Sequence, residues 1–115
     1  MKERRDVFFA IADESRRTIL ELLAKENRPL SIAAIANDFK ISRYGVTKHI
    51  NVLRESGLVS TEFYGRENHV ALESQKLVEV YQWVSIFEDF WKGKVSKLKM
   101  MAEAESKAKK VKKRH

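Results

Sequence analysis

Ser42-Arg43-Tyr44-Gly45-Val46-Thr47-Lys48-His49-Ile50-Asn51-Val52-Leu53-Arg54-Glu55-Ser56-Gly57 is the stretch that decides the fold. Val46, Ile50 and Leu53 recur at i, i+4 and i+7, the spacing of one buried helix face. Ser42 precedes them as an N-cap, and Gly57 follows as a stop residue able to turn left-handed. The opposite face carries Arg43, Tyr44, Thr47, Lys48 and Asn51, most of them in the first two turns. A solvated surface helix would mix acids among such residues, yet none occurs from Lys40 to Arg54. This is the composition of a helix that enters the major groove of DNA by its N-terminal turns. Arg43 can donate two hydrogen bonds to guanine, Asn51 can pair with adenine, and Thr47 can meet a thymine methyl. Lys48 suits a phosphate. Ser42, at the positive end of the helix dipole, marks backbone N–H groups that can hold another. Gly45 inside the helix costs about 1 kcal/mol relative to Ala, and its small size admits close approach of the preceding helix or of DNA.

Working upstream, Lys40-Ile41 leaves room only for a tight turn. Before it, Ser31 caps a helix with Ile32, Ile35, Ala36 and Phe39 inward. Arg28-Pro29 ends an earlier helix, capped by Asp13, with Ile19, Leu20, Leu22 and Leu23 as its apolar stripe. Residues 6–12 read as a short first helix. Working downstream, Leu58 to Phe63 and His69 to Leu72 read as two strands around the turn Tyr64-Gly65-Arg66-Glu67-Asn68. Residues 75 to about 105 read as one helix of roughly 30 residues and so about 45 Å. Leu77, Val80, Tyr81, Val84, Phe87, Trp91, Val95 and Leu98 stripe it, and Trp83, Ile86 and Phe90 widen the stripe. The expected fold is therefore mainly α with a small β-hairpin wing, a winged helix-turn-helix with a long C-terminal helix for dimerisation. Apolar surface beyond the needs of one small core predicts a two-fold homodimer through Val7, Phe8, Trp83, Phe87, Phe90 and Trp91. Two recognition helices about one DNA turn apart then read a palindrome. At the wing, Arg66 is placed for a minor groove or a phosphate, and Tyr64 for a phosphate.

The chain has 115 residues, suited to one domain over 1–106 followed by a basic, disordered tail at 107–115. Net charge is +7, but Lys107, Lys109, Lys110, Lys112, Lys113 and Arg114 contribute nearly all of it. The case for nucleic acid therefore rests on the body. With no Cys, disulfides and thiolate metal sites are excluded. No signal peptide or membrane-spanning run is present, so a cytoplasmic, nucleoid-associated protein is expected.

Phe9 to Leu20 is similar to the opening segment of the ArsR family of bacterial and archaeal repressors. Ile41 to Ile50, with Leu53 to Val59, resembles that family's recognition helix and first wing strand. Gly65-Arg66-Glu67 with Leu72 resembles its wing. Trp83 and Phe90-Trp91 look like a metal-free, SdpR-like branch of autorepressors. The resemblance spans roughly residues 5–100. It implies a homodimeric repressor, often of its own operon, with DNA-contact positions at Ser42, Arg43, Tyr44, Thr47, Lys48, His49 and Arg66; His49 faces backbone phosphate or is structural. Glu14, where the family often has Pro, Val70 in place of a wing-strand Tyr, and Tyr44 and Gly45 depart from the family pattern and bear on the operator sequence rather than the fold.

Metal-sensing relatives use Cys before the recognition helix, or His and acids on the last helix. Here Glu79, Glu88 and Asp89 have no nitrogen partners, and His49, His69 and His115 are dispersed, so no metal or other cofactor is expected. Neither a phosphate loop nor a nucleophile elbow occurs. Ser42 lies six and seven residues from Lys48 and His49, about 9–11 Å along a helix, beyond hydrogen-bond reach. An enzyme is not expected. Two rivals share the DNA-binding premise. One is a ligand- or redox-responsive repressor, with an apolar pocket in the aromatic dimer region or oxidation at Met100 and Met101. The other is an architectural protein of low sequence specificity that coats DNA with its tail. No residue pattern assigns an effector.

Overall fold

The computed structural model describes residues 6–92 and 99–106. Its first helices are α1 (Val7–Ile11) and α2 (Glu14–Glu26), capped by Asp6 and Asp13, whose carboxylates accept from the N–H groups of Phe9 and Arg16, each at 3.0 Å. A five-residue helix is unstable alone. Here α2 supports it: Arg16 donates to the carbonyls of Ala10 (2.7 Å) and Phe9 (3.2 Å), and Arg17 to that of Ile11 (2.8 Å). These cations sit where the α1 dipole is negative. Helix α2 ends at Asn27 in the left-handed region, ahead of Pro29.

The residues Leu30–Ser31 form a short strand, β1, and Ser31 then caps α3 (Ile32–Phe39). Lys40 turns left-handed, and Ser42 caps α4 (Arg43–Glu55) by accepting from Gly45 N–H at 3.0 Å. Helix α4 closes in a Schellman motif: Leu58 N–H bonds Leu53 C=O and Gly57 N–H bonds Arg54 C=O, with Gly57 at φ 82°. Strands β2 (Val59–Tyr64) and β3 (Glu67–Leu72) are joined by the two-residue loop Gly65-Arg66. Gly65 has φ 64° and Arg66 a negative φ, the sign pattern of a II′ hairpin turn. The sheet is antiparallel in the order β1-β3-β2, pairing Leu30 with Val70 and Thr61 with Val70.

The chain divides into two compact units, Met1–Tyr81 and Gln82–His115. In the first, Ile19, Leu23, Ile35, Val46, Ile50, Leu53, Leu58 and Val70 are fully buried, so all three helices expected to face a core do so. Leu22, Ile32 and Phe39 pack at its margin, as do Leu77 and Val80. Val7 corrects an expectation. It is only 2% exposed inside this core and so offers no surface to a second chain, whereas Phe8 beside it is exposed. Strand β1 was not expected from the sequence, because two residues after a proline carry no alternation; β3 supplies the partner that creates it.

The single C-terminal helix is a second correction. A 3₁₀ turn at Ser74–Lys76 leads into α5 (Leu77–Ser85), and α6 (Glu88–Trp91) begins only after a turn at Ile86-Phe87. The end of α5 tightens to i→i+3 bonds, from Ile86 to Trp83 and from Phe87 to Val84. Ser85 Oγ also donates to the Gln82 carbonyl at 2.7 Å. Such side-chain bonding competes with the helical ladder, and β-branched Val84 and Ile86 favour it weakly. In the second unit, Phe87 packs edge-on to Trp83 (5.3 Å between ring centroids) and stacks on Trp91 (6.4 Å). Residues 99–106 are helical. Val95, Leu98 and the tail at 107–115 lie outside the described residues. Among those described, no helix is long and apolar enough to cross a membrane.

Candidate nucleic-acid interface

Because α4 turns Val46, Ile50 and Leu53 into the core, its outward residues are fixed in direction by packing. Arg43, Tyr44 and Lys48 are exposed, and Thr47 and Asn51 are half-buried at the edges of the same face. Thr47 Oγ1 donates to the Arg43 carbonyl at 2.7 Å. Its hydroxyl proton is committed within the helix, which leaves the γ-methyl and the acceptor lone pairs of Oγ1 to present. Lys48 Nζ sits 4.8 Å from the centre of the Tyr44 ring, a cation–π contact that joins the two side chains on one side of the helix. Arg43 and Thr47 flank the other side. They border a cleft of about 180 Å³ shared with the start of α3 and the wing residues Phe63, Arg66 and Asn68. The structure therefore brings Arg66 to the recognition-helix side of the wing.

Tyr64 goes elsewhere. Strand side chains alternate between faces, and Tyr64 pairs with Glu67, and Glu62 with His69, on the outer face of the hairpin. The Tyr64 hydroxyl donates to Glu62 at 3.2 Å, and its ring meets His69 edge-on at 5.0 Å. A hydroxyl held among carboxylates on the face away from α4 is a poor phosphate ligand, so Tyr64 separates from the other expected contacts. Phe63, which the sequence reading passed over, lies on the α4 side instead. The alternation Val59, Thr61, Phe63 was the signal that placed it there.

His49 is half-buried, with Nδ1 4.0 Å from Asp13 Oδ2. It turns toward the start of α2, between α4 and the cap of its neighbour, which favours the structural alternative. The Arg16 N–H bond holds the Asp13 carboxyl below its ordinary value; burial opposes this, and the Arg16 and His49 charges assist it. A carboxyl depressed in the folded state stabilises the protein above its unfolded value and loses that contribution as pH falls through the folded one. Asp13→Ala is expected to lower stability by about 1 kcal/mol at pH 7. In urea unfolding the gap from the parent should narrow below about pH 4; a gap independent of pH would mean that the carboxylate charge contributes nothing.

Gly45 does not serve close packing of the preceding helix. A Cβ there would meet Ser42 Oγ at 3.4 Å and Ile41 Cδ1 at 4.0 Å, both ordinary contacts with side-chain atoms. Gly45→Ala is therefore expected to stabilise the free protein by about 0.5–1 kcal/mol through helix propensity. A lower unfolding midpoint would reveal a tighter site than these distances show. Among the described residues, no three His, Cys, Asp or Glu side chains are grouped to hold a metal ion.

A helix-turn-helix domain family matches residues 11–62, from the last residue of α1 into β2. The chain is 30% identical over 82 residues to the transcriptional repressor SdpR of Bacillus subtilis (strain 168), spanning 71% of this chain and 89% of SdpR. It is 28% identical over 79 residues to an uncharacterized helix-turn-helix-type transcriptional regulator of Methanocaldococcus jannaschii, spanning 69% of this chain and 88% of that protein. The solved structure of an ArsR-like transcriptional regulator from Rhodococcus sp. RHA1 superposes with a TM-score of 0.64 at 28% identity, covering 85% of this chain and 88% of the other.

Proposed function

The chain belongs to the ArsR family of winged helix-turn-helix transcriptional regulators, and on that premise we propose that it represses transcription as a homodimer bound to a palindromic operator. One observation carries the reading: the outward face of the capped α4, free of acids from Arg43 to Arg54, stands beside an arginine-tipped wing on the same side of the fold. Arg43, Thr47 and Asn51 read base edges, while Lys48, steadied on Tyr44, and the N–H groups behind Ser42 engage phosphate. Arg66 extends the grip to the neighbouring groove. The dimer contact uses Phe8, Trp83, Phe87, Phe90 and Trp91, the first four of which are exposed. Pairing such surfaces removes apolar area from water. Bound at its own promoter, the dimer blocks polymerase by occupancy, on the nucleoid in the cytoplasm. The mechanism uses no cofactor and no catalytic step.

Titrating DNA from immediately upstream of the protein's own gene against a scrambled duplex, across a salt series, tests this. A preference of about a thousandfold or more at physiological salt is expected, with a dimeric mass by sedimentation. Equal and steeply salt-dependent binding to both duplexes would favour the architectural alternative.

A further inference from the structure

Phe63 is 69% exposed, yet it lies on the sheet face that carries Val59 and Val70 into the core. Its ring borders the cleft that Arg43 and Thr47 line from α4 and Arg66 lines from the wing turn. A lone exposed phenylalanine is ordinary; one set between two arginines on the DNA-facing side is placed where a polyanion passes. Asn68 stands opposite Phe63 in the register and also borders the cleft. Glu67 also borders the cleft, with its carboxylate 3.5 Å from His69 Nε2 on the outer face.

We infer that this cleft seats one DNA strand where it crosses from the major groove read by α4 to the minor groove reached by the wing. Phe63 packs on a deoxyribose there, and Arg66 holds the adjoining phosphate. This rests on the DNA-binding reading above and deepens it. Deoxyribose is the apolar part of an ionic backbone, so covering it adds affinity through burial and releases no counterion. The contact reads no base edge, so it acts alike on every sequence.

The test compares the parent, Phe63→Ala and Arg66→Ala on the upstream and scrambled duplexes over a salt series. Phe63→Ala is expected to bind both duplexes about tenfold more weakly, within the ceiling set by full burial of a Phe side chain. Its salt slope and unfolding midpoint should match the parent's. Arg66→Ala should reduce the slope by about 1. Unchanged affinity for Phe63→Ala, with parental binding intact, overturns the deoxyribose contact and leaves the DNA reading standing. A loss confined to one duplex overturns it in favour of a wedge between particular base steps, and a changed slope overturns it in favour of a displaced phosphate contact. A parent that binds neither duplex sinks both readings.

Discussion

Arg43→Ala is expected to weaken operator binding by about 1–3 kcal/mol, roughly five- to 150-fold, and to relax the preference at one base pair. Arg43 is the first residue of α4, directly after the Ser42 cap, and is exposed on the side that faces the wing. Its guanidinium has no ion-pair partner among the described residues, so no carboxylate competes with a base for its donors. Guanine offers two acceptors at the spacing of those donors, which is why the loss concentrates at one position. Arg43→Lys sharpens the test. It keeps the charge but not the planar fork, so it should retain affinity for scrambled DNA and lose discrimination. Competition titrations against single-base operator variants measure both quantities. Uniform weakening by Arg43→Ala on every duplex, with a shallower salt slope, would make Arg43 a phosphate contact instead.

Leu53→Ala is expected to cost about 2–5 kcal/mol of folding stability, a Tm lower by about 10 °C or more. Leu53 is completely buried. Its carbonyl also accepts from Leu58 N–H and from Ser56 Oγ, so the residue joins the end of α4 to the first wing strand. The side chains of Leu53 and Leu58 supply the apolar contact that accompanies a Schellman closure. Removing the Leu53 side chain opens a cavity where the recognition helix is both packed and terminated. DNA affinity should fall with stability, and lowering the temperature should recover much of it in Leu53→Ala but not in Arg43→Ala. A loss of stability under 1 kcal/mol would show that the neighbours collapse into the space.

On the proposed function the exposed positions of α4 are expected to carry affinity and the buried ones orientation, and the two sets interleave within thirteen residues. Shortening Leu53 leaves the contact residues in place and disturbs their bearing, whereas removing Arg43 leaves the bearing intact. Stability and specificity, measured side by side, therefore distinguish the two halves of one helix.

Sequence alone determined whatever depends on neighbours within about four positions along the chain. The caps at Asp13, Ser31 and Ser42, the left-handed stop at Gly57, the inward triad Val46, Ile50 and Leu53, and the hairpin around Gly65 all follow from local hydrogen bonding and periodicity. They sufficed to specify a winged helix-turn-helix and to nominate Arg43, Thr47, Lys48 and Arg66. Tertiary structure decided what depends on distant partners. Strand β1 exists because β3 is there to pair with it. Val7 is a core residue rather than an interface residue because α1 is drawn onto α2 by Arg16 and Arg17. The break of the C-terminal helix at Ile86-Phe87 is the exception among local features: Ser85 bonds back only three residues and the ladder tightens there, but the apolar spacing continues unbroken through that point and does not report it. Tyr64 and Phe63, adjacent in sequence, part to opposite faces of the wing. The register and the lining of the cleft show that one joins the carboxylates and the other borders the cleft. A pattern along the chain fixes a side chain's direction relative to its own element, and packing fixes what that direction meets.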